Sequence, residues 1–230
     1  MILQVDRNIF LPAYHHLLDD NDIDIEFLYG GRDSGKSNFV AQKLILDSLR
    51  DSNFRCILIK KTAESIKDSQ WQTLKDIAGE MNIDGSFNFR KSPLEIETDI
   101  GSMFISRGCD DPRKLKSIRN PTCAWIEEGD QLTDEDFTLI VTTLRSEFGR
   151  VKIYFVFNPE LPKGVPDKQQ FWLYKNWFAH TREKSFTHTK ELKSGEGQVG
   201  ITYRATWTRY PDNPYVTDTR KAFLEELKLS

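Results

Sequence analysis

Cysteine is scarce in this chain of 230 residues: there are three, Cys56, Cys109 and Cys123, widely spaced, with no C-x-x-C pair and no histidine at metal-ligand spacing. A scattered, odd set does not make a disulfide framework, and it reads as reduced thiols of a cytoplasmic protein. Apolar runs of about 20 residues, the length a bilayer requires, are missing as well. Asp6 and Arg7 precede any apolar stretch, so neither a membrane span nor a secretory signal is expected. Positive charge is not in excess, with 32 Lys and Arg against 35 Asp and Glu and a net charge of −3. That balance argues against a surface that coats nucleic acid throughout and leaves room for a local basic patch. His15, His16, His180 and His188 form no zinc pattern, and no internal repeat is found.

What is present suffices for a core. Hydrophobic residues make up 38% and aromatics 12%, which fits one globular domain with a small appendage. Residues 24–29 form a short apolar run that ends in Gly30 and Gly31, and a helical pattern follows from Gly35 through Val40 and Leu44. Residues 54–60 read as a second buried strand, and 62–81 as a helix carrying Ile66, Leu74, Ile77 and Met81. This alternation predicts a mainly parallel sheet flanked by helices, an α/β fold. Between 86 and 107 the period changes to two, with Phe87 and Phe89, Leu94 and Ile96, Met103 and Ile105, which predicts an inserted antiparallel hairpin turning at 99–101. Residues 122–126 and 151–157 are further core strands, and Thr133 with Asp136 opens a helix through a capping box. Beyond Pro159 proline and glycine rise. An aromatic-rich helix over 169–184, with Phe171, Trp172, Tyr174, Trp177 and Phe178, is read as packing on the sheet, base stacking being the alternative; a terminal helix spans 219–228. The expected organisation is therefore a core over 1–168 with a hairpin insertion at about 86–107, and a lid or linker over 169–230.

Gly30-Gly31-Arg32-Asp33-Ser34-Gly35-Lys36-Ser37 fits G-x-x-x-x-G-K-[ST] and lies between a predicted strand and a predicted helix, as a phosphate-binding loop requires. The glycines let backbone N–H groups turn inward around phosphates, Lys36 reaches the β and γ oxygens of ATP, and the Ser37 hydroxyl ligates Mg²⁺. Asp33 is out of character, because a carboxylate there repels a triphosphate. It is also among the few non-glycine residues that tolerate a left-handed backbone, which would keep a tight loop in shape. Arg32 either neutralises Asp33 or contacts the γ-phosphate.

Cys123-Ala124-Trp125-Ile126-Glu127-Glu128 is an apolar strand ending in two carboxylates. Glu127 is assigned to the Mg²⁺ shell and Glu128 to the attacking water, two roles that differ in what each carboxylate faces. The strand-like segment 54–60, between the loop unit and this acidic strand, matches the additional-strand layout of phosphate-loop ATPases. In that layout Asn158 emerges beside the γ-phosphate, although Asn158-Pro159 also suits a plain turn.

These residues resemble a family, the large terminase subunit of tailed double-stranded DNA bacteriophages. The likeness rests on Tyr29-Gly30-Gly31-Arg32 with Ser34-Gly35-Lys36-Ser37, Arg107-Gly108 with Asp110-Asp111-Pro112 and Lys116-Ser117-Ile118, Trp125-Ile126-Glu127-Glu128, Phe157-Asn158-Pro159, and Tyr210 with Asp212-Asn213-Pro214. It implies an ATPase that drives DNA into a procapsid, with Glu128 as catalytic glutamate, Glu127 where most such enzymes have Asp, and Arg32 on the γ-phosphate or lid. It further implies Asn158 as the residue coupling hydrolysis to movement, and Tyr14 in the adenine-contacting segment. Implied partners are double-stranded DNA, the portal protein, the small terminase subunit and further copies in a ring, all in the host cytoplasm. A neighbour's site would receive a trans arginine from Arg113, Arg119 or Arg145, while the basic run 113–119 equally suits DNA phosphates or a solvated face. Asp33 departs from the small residue common in the family. The likeness covers only the ATPase half of such a protein, so the nuclease domain is not expected within these residues. The rival readings are a small-molecule phosphate-loop kinase and a nucleotide-binding interaction module without turnover.

Overall fold

A computed structural model describes residues 5–18, 22–110, 115–161, 167–194 and 197–229. In chain order the sheet strands are β1 (Ile25–Gly30), β2 (Arg55–Lys60), β3 (Phe87–Lys91), β4 (Leu94–Thr98), β5 (Met103–Gly108), β6 (Cys123–Ile126), β7 (Lys152–Phe157), β8 (Phe186–Ser194) and β9 (Gly197–Thr208). The helices are α1 (Lys36–Ser48), α2 (Glu64–Ile66), α3 (Gln72–Glu80), α4 (Asp134–Thr143) and α5 (Asp218–Leu229). A π-helical turn, Lys67–Trp71, joins α2 to α3 and sets the Gln70 side chain to donate to the Trp125 carbonyl at 2.8 Å.

All nine strands form one sheet in the order β3-β4-β5-β2-β6-β7-β1-β9-β8. β7 lies between the acidic strand β6 and the loop strand β1, parallel to both, which is the additional-strand order expected from the sequence. Alternation within each central strand feeds two cores. Leu28, Leu58, Trp125 and Val156 face α1 and α3, while Phe27, Ile57, Ile126 and Phe155 face α4 and the aromatic segment. Register is pinned at the sheet centre by Glu26, 1% exposed, which receives Arg204 of β9 at 2.6 and 2.9 Å and Lys152 of β7 at 3.3 Å. A buried carboxylate is strongly destabilising without such partners, so a slip of either neighbour strand is opposed.

Three expectations are corrected. The segment expected as a single hairpin is an antiparallel meander of three strands, and its last strand, β5, also pairs parallel with β2. The aromatic helix over 169–184 is short, a π-helical turn at Tyr174–Phe178, although its rings do pack on the sheet: Trp177 and Phe178 lie 5.4 and 5.5 Å from Phe27. Residues 169–230 are not set apart as a lid, because β9 runs parallel to β1 from Ile25↔Tyr203 to Gly30↔Thr208 and completes the sheet. All three cysteines are buried free thiols. No helix among the described residues is long and apolar enough to cross a membrane.

Candidate functional site

Strands β1, β6 and β7 end side by side, and their following residues enclose a cavity of about 610 Å³. The β1–α1 loop forms its floor. Gly35, at φ 83, caps α1, and a side chain there would meet Leu11 Cδ1 at 2.4 Å. Asp33, at φ 60, adopts the left-handed backbone that its residue type tolerates. Ser34 is buried and donates to the Gly31 carbonyl at 2.9 Å.

Lys36 is 7% exposed, and its ammonium donates to the carbonyls of Gly30 and Gly31, to Ser34 Oγ and to Asn158 Oδ1 at 2.8–3.2 Å. Burial lowers its pKa to about 8, against the opposing charges of Glu127, Asp33 and Asp130. Across the cavity, Ser37 Oγ donates to Glu127 Oε1 at 2.7 Å and Trp125 Nε1 to Glu127 Oε2 at 2.9 Å. Burial raises Glu127 to about 7 in spite of those bonds. A hydroxyl and a carboxylate oxygen on one wall are hard ligands suited to Mg²⁺, which takes few protein ligands and keeps waters and phosphate oxygens. Glu128 has a left-handed backbone, φ 54, and its carboxylate lies 3.0 Å from the buried ammonium of Lys60 and accepts from Gln131 at 3.1 Å.

The structure thus brings Arg32, Asp33, Ser34, Gly35, Lys36, Ser37, Glu127, Glu128 and Asn158 to one cavity. Arg32 approaches Glu160 at 3.5 Å, both side chains being 65% exposed, and Asp33 is paired elsewhere, with Arg220 at 2.6 Å. Tyr14 is a correction. It is fully buried, stacked on Phe39 at 4.8 Å, and its hydroxyl joins the Ser34 carbonyl and Thr208 Oγ1, both at 2.9 Å. It therefore braces the loop from beneath and has no face left for a base. Gly30 and Gly31 also separate in role. A Cβ on Gly30 would fall 1.8 Å from the Thr208 carbonyl oxygen, so its bare backbone admits β9, whereas Gly31 has open space.

Sequence reasoning did not find Lys60, Asn213, Tyr215, Thr217 or Arg220. Lys60 ends an apolar strand, the one signal that it carried. Asn213 stood within a recognised motif but had no role until the fold placed it over Asp33. Arg119 and Arg145 are exposed; Arg113, Asp111 and Pro112 lie outside the described residues.

Fold and site together define a phosphate-loop protein of the additional-strand class. A family model described as phage terminase large subunit matches residues 22–230, and the chain belongs to that family. It is 28% identical over 161 residues to the PBSX phage terminase large subunit of Bacillus subtilis, covering 70% of this chain and 35% of that protein. It is 29% identical over 158 residues to the terminase large subunit of Bacillus phage SPP1, covering 64% of this chain and 36% of that protein. The chain thus spans about a third of the length of these relatives. The large terminase of the thermophilic bacteriophage D6E has the same fold, with a TM-score of 0.67 at 11% identity over 96% of this chain and 49% of that one. It has also been solved in complex with ADP, with a TM-score of 0.65.

Proposed function

We propose that this chain is the ATP-hydrolysing part of a DNA-packaging terminase, which binds Mg-ATP at the cavity and uses its hydrolysis to move double-stranded DNA into a procapsid. The observation that carries this reading is the convergence of Lys36, the Ser37–Glu127 pair, Glu128 and Asn158 on one cavity at the ends of three adjacent strands. The ADP complex of the D6E protein supports the choice of nucleotide.

Backbone N–H groups of the loop and the start of α1 hold the phosphates, and Lys36 exchanges its carbonyl partners for the β and γ oxygens. Ser37 and Glu127 would hold Mg²⁺, which when bound neutralises charge on those oxygens. Glu128 orients the attacking water and draws off its proton, and Asn158 donates its amide to the γ-phosphoryl group. Lys60 fixes the Glu128 carboxylate at the cavity rim. The base goes into a neighbouring cavity of about 310 Å³ lined by Leu11, Phe39, Gln42 and Tyr215, which shares Gly35, Asn38, Asn213 and Tyr215 with the first. In the assembled motor we expect a ring of copies on the portal protein, with the small terminase subunit, in the host cytoplasm. Arg119 and Arg145 are the described candidates for the cation given to a neighbour's site.

The fate of the γ-phosphoryl group tests the reading. Incubation with Mg-ATP and no added acceptor should release inorganic phosphate, and Glu128→Ala should lower that rate at least a hundredfold. Phosphate transfer to an added small-molecule acceptor, with little release to water, would instead make the protein a kinase.

A further inference from the structure

Asp33 was the residue least suited to a triphosphate site, and its surroundings show what it does. Its side chain takes Arg220 Nε of α5 on Oδ2 at 2.6 Å, while its backbone carbonyl accepts from Asn213 Nδ2 at 2.8 Å. Asp33, Asn213 and Arg220 all line the same cavity as Lys36 and Ser37. A guanidinium carries five N–H donors in a fixed plane. Among the described residues, Nε is engaged by Asp33 and the two terminal nitrogens have no acceptor.

We infer that Arg220 is a phosphate-binding residue, that Asp33 positions it, and that nucleotide binding therefore tightens the docking of α5 on the phosphate loop. The inference rests on the nucleotide reading of the cavity given above. Asp33 alone would repel a triphosphate, but the Asp33–Arg220 pair is neutral as a whole and leaves the terminal nitrogens of a cavity-lining guanidinium for an anion. The fork shape is essential, because one guanidinium serves a carboxylate through Nε and an anion through its terminal nitrogens, whereas a lysine ammonium is a single point charge on a flexible stem. Arg32 lines the same cavity, but its contact with Glu160, at 3.5 Å between two largely exposed side chains, does not fix its guanidinium as Asp33 fixes that of Arg220. Such coupling is reciprocal: whatever affinity the nucleotide gains from docked α5, the docking gains from the nucleotide.

The test titrates Mg-ATPγS into the 230-residue chain and into its Arg220→Lys, Arg220→Ala, Asp33→Asn and Lys36→Ala variants, and follows amide exchange in residues 218–229 with and without nucleotide. Arg220 is half-exposed, so its replacement leaves the core intact. The expected result is at least tenfold weaker binding in both Arg220 variants, with lysine giving no rescue. Nucleotide should slow exchange of α5 in the wild-type chain but not in Arg220→Lys or Asp33→Asn. Wild-type affinity in Arg220→Lys, or α5 exchange that nucleotide leaves unchanged or accelerates, would overturn the inference while Lys36→Ala still abolishes binding. Binding that survives Lys36→Ala would instead remove the nucleotide reading, and this inference with it.

Discussion

Burial moves Lys36 and Glu127 toward neutrality in opposite directions, Lys36 down to about 8 and Glu127 up to about 7. Glu127 in the unfolded chain ionises near its ordinary 4.5, so the folded state holds the extra proton between about 4.5 and 7. Stability from this group is therefore largest at low pH and falls as pH rises through that window. Glu127→Gln keeps the shape without the titration. Its melting temperature should decline less than that of the wild-type chain between pH 5 and 7.5, and should be the higher of the two at pH 7.5. Parallel declines would show that Glu127 is ionised throughout. At this scale the sequence was a good guide to residue type and a poor guide to direction. Lys36, Ser37 and the two glutamates, singled out by motif spacing, do meet at one cavity, because that spacing sets them at the ends of adjacent strands. Tyr14 was placed by position alone, and position does not tell an aromatic ring that stacks on a ligand from one that holds the floor. The pairing of Glu128 with Lys60 needed the neighbour relation of β6 and β2, which joins residues far apart in sequence.

The glycines of the loop show how elements share its residues. Gly30 lies in β1 at φ 138, where the Thr208 carbonyl leaves no room for a side chain, while Gly31 faces open space. Gly30→Ala should cost about 3 kcal/mol in urea unfolding, since it combines a disfavoured backbone with a collision against β9. Gly31→Ala should change stability by less than about 1 kcal/mol. Equal effects would mean that the β1–β9 contact is not as close as described. The strands with continuous apolar runs, β1, β2, β6 and β7, were legible because both of their faces are buried. β8 and β9 were not, since β8 is an edge strand of mixed polar residues and β9 lies in a region whose proline and glycine content suggests loops. The capping box of Thr133 and Asp136 was legible because it is local.

At the scale of the molecule, the C-terminal quarter is part of the central sheet. β9 covers the open edge of β1, and the rings of Trp177, Phe178 and Tyr203 close over Phe27. A chain ending at residue 168 should therefore lose cooperative thermal unfolding and bind a hydrophobic dye, both measurable by calorimetry and fluorescence. A sharp transition in that fragment would restore the boundary expected from composition. The same arrangement places α5 and its Arg220 against the β1–α1 loop, so the cavity is lined from both ends of the sequence. Nucleotide binding at the cavity is measured by calorimetric titration of Mg-ATPγS into the chain and into Lys36→Ala and Glu128→Ala. One site per chain is expected, with affinity at least a hundredfold weaker in Lys36→Ala and retained in Glu128→Ala, whose defect lies in turnover. Absence of binding to the wild-type chain, or binding indifferent to Lys36, would contradict it.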